Sequence, residues 1–315
     1  MHQFKNKSIL VIGGTGFIGI NLVKKFLQLG AKVTCLSLKK KNYKEKHKNL
    51  KHVFCDYENY TILKSKITNP FEYVVNLGGY IDHRKYFNKE GRKVIDNHFV
   101  STLNLLSILK REKLKRYLHI GTCDEYGENV SPIKEDSRED PITSYAFAKL
   151  ASINLLIMLN KTENFPATAL RLFLVYGPYQ KTDRLIPQVI GGCLKKKSFP
   201  VSKGTQLRDF CYVDDVVNAI ILTLLKKKAL GQIFNVGSGK PVSVKFIINK
   251  ISKIIKNGKP QFNKIPFRKN ENLKLYPSIK KISGFLGWKP KTSLNQGLEK
   301  TINYYKTIKQ KQFYD

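Results

Sequence analysis

Ser8-Ile-Leu-Val-Ile-Gly-Gly-Thr-Gly-Phe-Ile-Gly19 decides the fold of this chain. Ile9 to Ile12 form an apolar, largely β-branched run, as a parallel strand covered on both faces requires. Gly13, Gly16 and Gly19 follow at three-residue spacing, and Phe17 to Leu29 carries a helical apolar period that stops at Gly30. In such a strand–turn–helix the first two glycines permit a tight turn and close approach of backbone to a pyrophosphate. The third lets helix pack on strand, with the helix N-terminus facing the anion. Gly13, Thr15, Gly16, Phe17, Ile18 and Gly19 are therefore read as a dinucleotide-phosphate site.

A second stretch, Ser144-Tyr-Ala-Phe-Ala-Lys149, sets Tyr145 and Lys149 four residues apart. On a helix they share a face, with Cβ atoms roughly 6 Å apart. An ammonium so near is expected to lower the phenol from about 10 toward neutrality. A phenol tuned in this way can pass a proton to or from a carbinol oxygen while a nicotinamide exchanges hydride with its carbon. Alone, Tyr-x-x-x-Lys describes many helix surfaces; downstream of the glycine turn it points to redox chemistry.

The 315 residues can bury a full core in one large domain or two interlocked ones. There is no run of 18 apolar residues, so no membrane span is expected. The first strand begins within the first eight residues, so no signal peptide is expected. Cys35, Cys55, Cys123, Cys193 and Cys211 are odd in number and lack Cys-x-x-Cys spacing. They read as reduced thiols of a cytosolic protein, with no metal site and no disulfide frame. The net charge of +34 raises a nucleic-acid reading, but only 9 of the 57 basic residues are arginine. Specific phosphate and base contacts favour arginine, and the lysines are spread along the chain. They read as a bias of solvated faces, without specific nucleic-acid binding, that would still attract a doubly anionic ligand.

Strand–helix alternation continues to about residue 178. The strands expected are Ser8–Ile12, Lys32–Ser37, Lys51–Cys55, Tyr73–Leu77, Arg116–Thr122 and Ala167–Val175, with helices clearest at Phe17–Leu29, Asp96–Lys110 and Tyr145–Leu159. This order gives an α/β fold, a Rossmann-type doubly wound parallel sheet with its ligand at the carboxyl ends of the strands. After Gly177-Pro178 the pattern loosens and prolines punctuate it.

The chain resembles the extended short-chain dehydrogenase/reductases, specifically the nucleotide-sugar epimerase/dehydratase/4-reductase family. The motifs that carry the resemblance are Gly13–Gly19, Asn97, Gly121-Thr-Cys-Asp-Glu-Tyr-Gly127, Tyr145/Lys149 and Leu170-Arg-Leu-Phe-Leu-Val-Tyr-Gly-Pro178. Arg208-Asp-Phe-Cys-Tyr-Val-Asp-Asp215, Phe234-Asn-Val-Gly-Ser-Gly239 and Leu286-Gly-Trp-Lys-Pro290 complete it. It implies a dinucleotide domain over 1–180, a smaller interwoven substrate domain over 181–315, and a strand near 232–236 returning to the main sheet. It also implies a homodimer.

Residue by residue, the resemblance puts Thr122 against the reacting sugar oxygen, with Tyr145 and Lys149 as catalytic partners. Asp124 occupies a position that varies across the family, where it either exchanges a proton at C5 or orients substrate. Cys123 stands where dehydratases using an Asp-Glu pair carry Asp, which argues against dehydration by that route. Glu125 is expected to point away by strand-like alternation. Asp56 and Tyr57 after the third strand, Leu77-Gly78-Gly79 after the fourth, and Asn97 are expected at the cofactor. Ser37 replaces the usual ribose-binding Asp of NAD-dependent relatives and Lys39 follows, so NADP is preferred over NAD. Asp82, His83, Phe173, Arg184, Arg208, Arg268 and Tyr276 are expected around the sugar nucleotide, with Asn235 in the same cleft. His83 reads as a surface histidine, because Tyr145 already supplies the proton. The activity implied is NADPH-dependent reduction of a 4-keto-6-deoxy sugar nucleotide. The alternatives are a 4-epimerase or 4,6-dehydratase with tightly held NAD and, from another class, a non-catalytic RNA-binding relative.

Overall fold

The computed structural model describes residues 3–38, 46–88, 90–267 and 271–312, with side chains to residue 308. Lys39 and Arg268 lie outside the described residues. Within these, the main sheet has seven parallel strands. Strand β1 (Ser8–Ile12) sits between β2 (Lys32–Ser37) and β4 (Tyr73–Asn76), with β3 (Leu50–Phe54) at one edge. On the other side follow β5 (Arg116–Thr122), β6 (Ala167–Leu172) and the strand Ile233–Val236. The chain returns to the main sheet at Ile233–Val236, which pairs parallel with β6. Winding reverses between β1 and β4, and at such a switch point a crevice opens beyond the strand ends. The register sets Ile12 beside both Leu36 and Asn76, so Gly13 and Leu77 leave the sheet at the same edge.

Alternation along β1 sends Ile9 and Val11 to one face and Leu10 and Ile12 to the other. Helix α1 (Phe17–Gln28) covers the first face with Leu22, Val23 and Phe26. The second is covered by Leu63 of α2 (Tyr60–Lys66). The short helix α3 (Gly91–Ile95) leads through a π-turn at Asp96–Val100 into α4 (Ser101–Ile108), which adds Leu105 to that second face. Leu156 of α5 (Ser144–Glu163) joins it. Each such side chain contributes about 1.5–3 kcal/mol on burial, which is why strands with no polar face are stable here.

Two expected elements come out differently. Asp96–Lys110 is not one regular helix, because its first turn is the π-turn. The expected strand Ala167–Val175 breaks at Phe173. Phe173 still donates its backbone N–H to Val236 (3.0 Å), but β7 (Leu174–Tyr176) pairs with Phe210–Tyr212 in a separate sheet. The Phe173 side chain is drawn into a small cluster with Cys123, Tyr126 and Ile133.

Beyond β7 the chain builds a second core. Ile186 and Ile190 of α6 (Leu185–Leu194) meet Ile247 and Ile251 of α8 (Val244–Ile255) there, having passed α7 (Val213–Leu225), whose Val216 and Ile220 belong to the first core. Ile282 of α9 (Lys280–Leu286) and Trp288 return to that first core, whereas Leu298 and Ile302 of α10 (Leu294–Gln312) join the second. The later half is therefore laced through both cores. Among the described residues no helix is long and apolar enough to cross a membrane.

Candidate active site

The glycine turn forms one wall. Gly13 has φ +75°, a left-handed conformation that favours glycine, and its N–H donates to Leu36 (2.8 Å). A Cβ on Gly19 would lie 2.3 Å from the Gly13 carbonyl, so only glycine lets α1 sit this close to the turn. No side chain caps the N-terminus of α1 and no acidic residue stands in its first turn. Its amides thus form a donor set suited to an anion. Ser37 is buried, and the Thr15 hydroxyl donates to it at 3.0 Å, fastening the turn to β2.

Opposite, β4 ends in Asn76, whose Oδ1 accepts from the Gly78 N–H (2.9 Å) and whose Nδ2 donates to the Tyr117 hydroxyl (3.1 Å). Leu77 donates to the Ile12 carbonyl (3.1 Å), bringing the Leu77-Gly78-Gly79 segment beside the glycine turn. Tyr57 is buried beneath it; burial pushes its phenol up to about 12, eased by the backbone of Gly79. Asn97 is buried on the π-turn and donates to the Lys93 carbonyl (2.8 Å). Such turns in helices are frequent at functional sites.

Thr143 caps α5 by accepting from the Ala146 N–H (3.1 Å), and the buried face of that helix carries both Tyr145 and Lys149. Lys149 donates to the carbonyls of Gly78 (3.1 Å) and Ile120 (3.0 Å). Burial pulls its pKa down to about 8, against the opposing field of Glu125. The expected lowering of Tyr145 does not occur. Burial, then the Asp124 carboxylate, push the phenol well up, and the hydrogen-bonding side chain of Thr122 acts the other way. Lys149 is engaged by carbonyls, so its charge goes to fastening the backbone.

Thr122 ends β5 as the first residue of a Thr-x-x-Glu capping box. Its hydroxyl accepts from the Asp124 N–H (3.2 Å), while Glu125 accepts from the Thr122 N–H (2.7 Å). The alternation expected for Glu125 fails because Cys123–Tyr126 is a 3₁₀ turn. Its carboxylate turns into the core and pairs with Arg171 at 2.6 Å, both side chains fully buried.

His83 is not an isolated surface residue. Its Nε2 lies 3.5 Å from Asp124 Oδ2, and its ring stacks on Tyr145 at 6.1 Å between centroids. Burial raises the Asp124 pKa, and the charges of His83, Arg184 and Arg208 oppose that rise. Sequence reading passed over His98 altogether. Its ring packs edge-on against Tyr145 at 4.9 Å and donates to the Tyr80 carbonyl (2.9 Å). Burial and the Lys149 charge bring its pKa down to about 3, so it is neutral.

Several of the expected residues have partners within the chain. Asp56 is exposed and accepts from the Glu58 N–H (3.0 Å), and Asp82 is paired with Arg84 at 2.8 Å. Arg208 is paired with Glu271 at 2.5 Å, and Arg184 lies 3.7 Å from Asp183. Phe173 packs behind the Cys123 turn, and Tyr276 bonds through its backbone to Ser131 and Ile133. Asn235 is fully buried and accepts from the Tyr126 hydroxyl (2.8 Å), so it does not line a cleft.

A glycine-turn sheet with a Tyr–Lys helix locked to its central strands defines an extended short-chain dehydrogenase/reductase. The chain belongs to the NAD dependent epimerase/dehydratase family, which it matches over residues 9–237. It is 29% identical to a UDP-glucuronate 4-epimerase of Thermodesulfobacterium geofontis, over 94% of this chain and 95% of that one. It is 26% identical to the human dTDP-D-glucose 4,6-dehydratase, over 95% and 90% of the two chains. Among solved structures, UDP-glucuronic acid 4-epimerase from Bacillus cereus, in complex with UDP-glucuronic acid and NAD, superposes with TM-score 0.85 at 27% identity. That match covers 96% of this chain and 99% of that one.

The buried ammonium has a measurable signature. The folded pKa of Lys149, about 8, lies below its unfolded value, so between the two the unfolded chain binds more protons and stability rises with pH. Urea unfolding from pH 7.5 to 10.5 is expected to show the native protein gaining about 3 kcal/mol relative to Lys149→Met. Parallel pH profiles for the two proteins would contradict this.

Proposed function

We propose that this chain exchanges hydride at C4 of a nucleotide-activated sugar, and works as the reductase of a 4-keto-6-deoxy sugar nucleotide. The observation that carries the reading is the meeting of Thr122, Tyr145 and Lys149 at the ends of β4 and β5, beside the glycine turn. The uncapped amides of α1 fit a pyrophosphate, so Gly13–Gly19, Tyr57, Leu77–Gly79 and Asn97 would hold a nicotinamide dinucleotide. That cofactor supplies hydride to, or takes it from, the carbinol carbon. Tyr145 moves the matching proton at the C4 oxygen, and Thr122 orients that oxygen. Burial and Asp124 keep the phenol protonated, the form that gives a proton to a ketone in the reductive direction.

Residues 181–315, with Arg184 and Arg208 flanking Asp124, would bind the sugar nucleotide, whose diphosphate suits guanidinium forks. Exposed apolar Leu103 on α4, and Phe147 and Met158 on α5, support pairing of two copies through those helices. A second reading, a 4-epimerase with tightly held NAD, draws support from the UDP-glucuronate 4-epimerases among the relatives.

NADP(H) is the cofactor proposed, because β2 ends at Ser37 and Leu38 follows, with no carboxylate to repel a 2′-phosphate. Calorimetry is expected to give NADP(H) an affinity at least about tenfold above NAD(H), some 1.4 kcal/mol. Equal affinities, or stoichiometric NAD carried through purification, would favour the epimerase. Tyr145→Phe should retain cofactor binding and lose roughly 10² to 10⁴ in turnover on 4-keto sugar nucleotides. Near-native turnover of this variant would refute the role given to Tyr145.

A further inference from the structure

The lysines are spread along the sequence, but folding gathers many of them on the outside of the second core. Residues 185–208 and 216–270 contain no Asp or Glu. These stretches include α6, α8 and the strands Ser198–Pro200 and Lys259–Gln261, which pair in parallel. Where α6 and α8 end, Cys193 Sγ meets Ser252 Oγ at 3.3 Å, and the Lys259 N–H donates to the Lys197 carbonyl (3.4 Å). Lys195, Lys196, Lys197, Lys253, Lys256 and Lys259 are thereby collected there, all exposed. At the start of α8 the Lys245 N–H donates to Gly204 (2.8 Å) and the Lys264 N–H to Val201 (3.1 Å), which adds Lys203, Lys245 and Lys264. Compensating a helix dipole takes a cation or two in the last turn, far fewer than are gathered here. Glu271, the next carboxylate in sequence, is taken by Arg208.

Apolar side chains stand among these ammonium groups. Phe246 is 47% exposed and Ile265 45%. Lys250 lies over the Phe246 ring and Lys245 over the Phe262 ring, each with Nζ 5.2 Å from the centroid. A nucleic acid would stack its bases on open aromatic faces and favour arginine. Here an ammonium covers each ring, and the exposed cations described over residues 185–267 are all lysine. Lysine stems laid along apolar side chains, with the charge held outward, suit the boundary between headgroups and acyl chains of a bilayer.

We propose that this lysine face docks the protein reversibly on a phospholipid surface rich in anionic headgroups. Phe246 and Ile265 enter the headgroup layer, and the lysines around them meet its phosphates. The docking is independent of the reaction proposed above.

The full chain is sedimented with phosphatidylcholine vesicles, with and without about one-third phosphatidylglycerol, in about 0.1 M salt. Affinity for the anionic vesicles is expected to be at least about tenfold higher. Replacing Lys195, Lys196 and Lys197 together by Gln should weaken it at least about tenfold, and Phe246→Ser should weaken it too. Lys226, Lys227 and Lys228 are also exposed but sit at the main sheet, where the Lys226 carbonyl accepts from Arg116, so they serve as a control of equal charge. Replacing that triplet by Gln should cost less than about twofold. Equal losses from the two triple variants would reduce the effect to net charge and overturn the docking face. Equal affinity for the two kinds of vesicle, or Phe246→Ser at native affinity, would contradict it as well. Oligouridine bound through Lys195–Lys197, with anionic vesicles left unbound, would assign the face to nucleic acid instead.

Discussion

The ammonium of Lys149 is the point on which this site is assembled. From α5 it reaches the carbonyl of Gly78 at the end of β4 and that of Ile120 in β5. Three elements of distant sequence are thereby held at one atom. A buried charge is costly unless polar groups surround it, and the two carbonyls meet that condition while being fixed by it. Tyr145, one helical turn earlier, is set against Thr122, and the Gly78-Gly79 segment is set against the glycine turn. The same charge helps keep His98 and His119 neutral. The site thus rests on a buried cation, with the Tyr145 and Thr122 side chains beside it.

A buried ion pair fixes the other side. Arg171 on β6 holds Glu125, donates to Glu139 at 2.7 Å, and lies over the Tyr126 ring at 4.5 Å. Glu125 in turn holds the Thr122 amide, so the 3₁₀ turn carrying Asp124 cannot drift. Removing one member of such a pair leaves the other charged and buried, commonly a loss of about 3–5 kcal/mol. The stability of the core and the geometry of the site are here the same contact.

Much of this was legible in the sequence because it depends on local spacing. The apolar run, the three glycines and the i, i+4 pair are each sufficient to place a strand, a turn and a helix face. The Thr122-x-x-Glu125 capping box was also readable, and would have warned that strand alternation stops at Thr122. What stayed hidden depends on tertiary placement. The segment after β4 folds back to bring His83 onto Asp124, and nothing in Asp-His-Arg-Lys announces that. The tuning of Tyr145 was misjudged because proximity along a helix does not say which acceptor an ammonium will choose. Asp82 and Asn235 were drawn off by nearer partners that only the folded chain supplies.

The central claim is direct hydride exchange at C4 with the proton carried by Tyr145. A single turnover run in reverse tests it, with a 6-deoxy sugar nucleotide carrying deuterium at C4 and oxidised cofactor in stoichiometric amount, read by mass spectrometry. The account predicts that the deuterium leaves the sugar for the nicotinamide in the native protein, and stays on C4 in Tyr145→Phe over the same interval. Deuterium lost to water with none on the cofactor would contradict it.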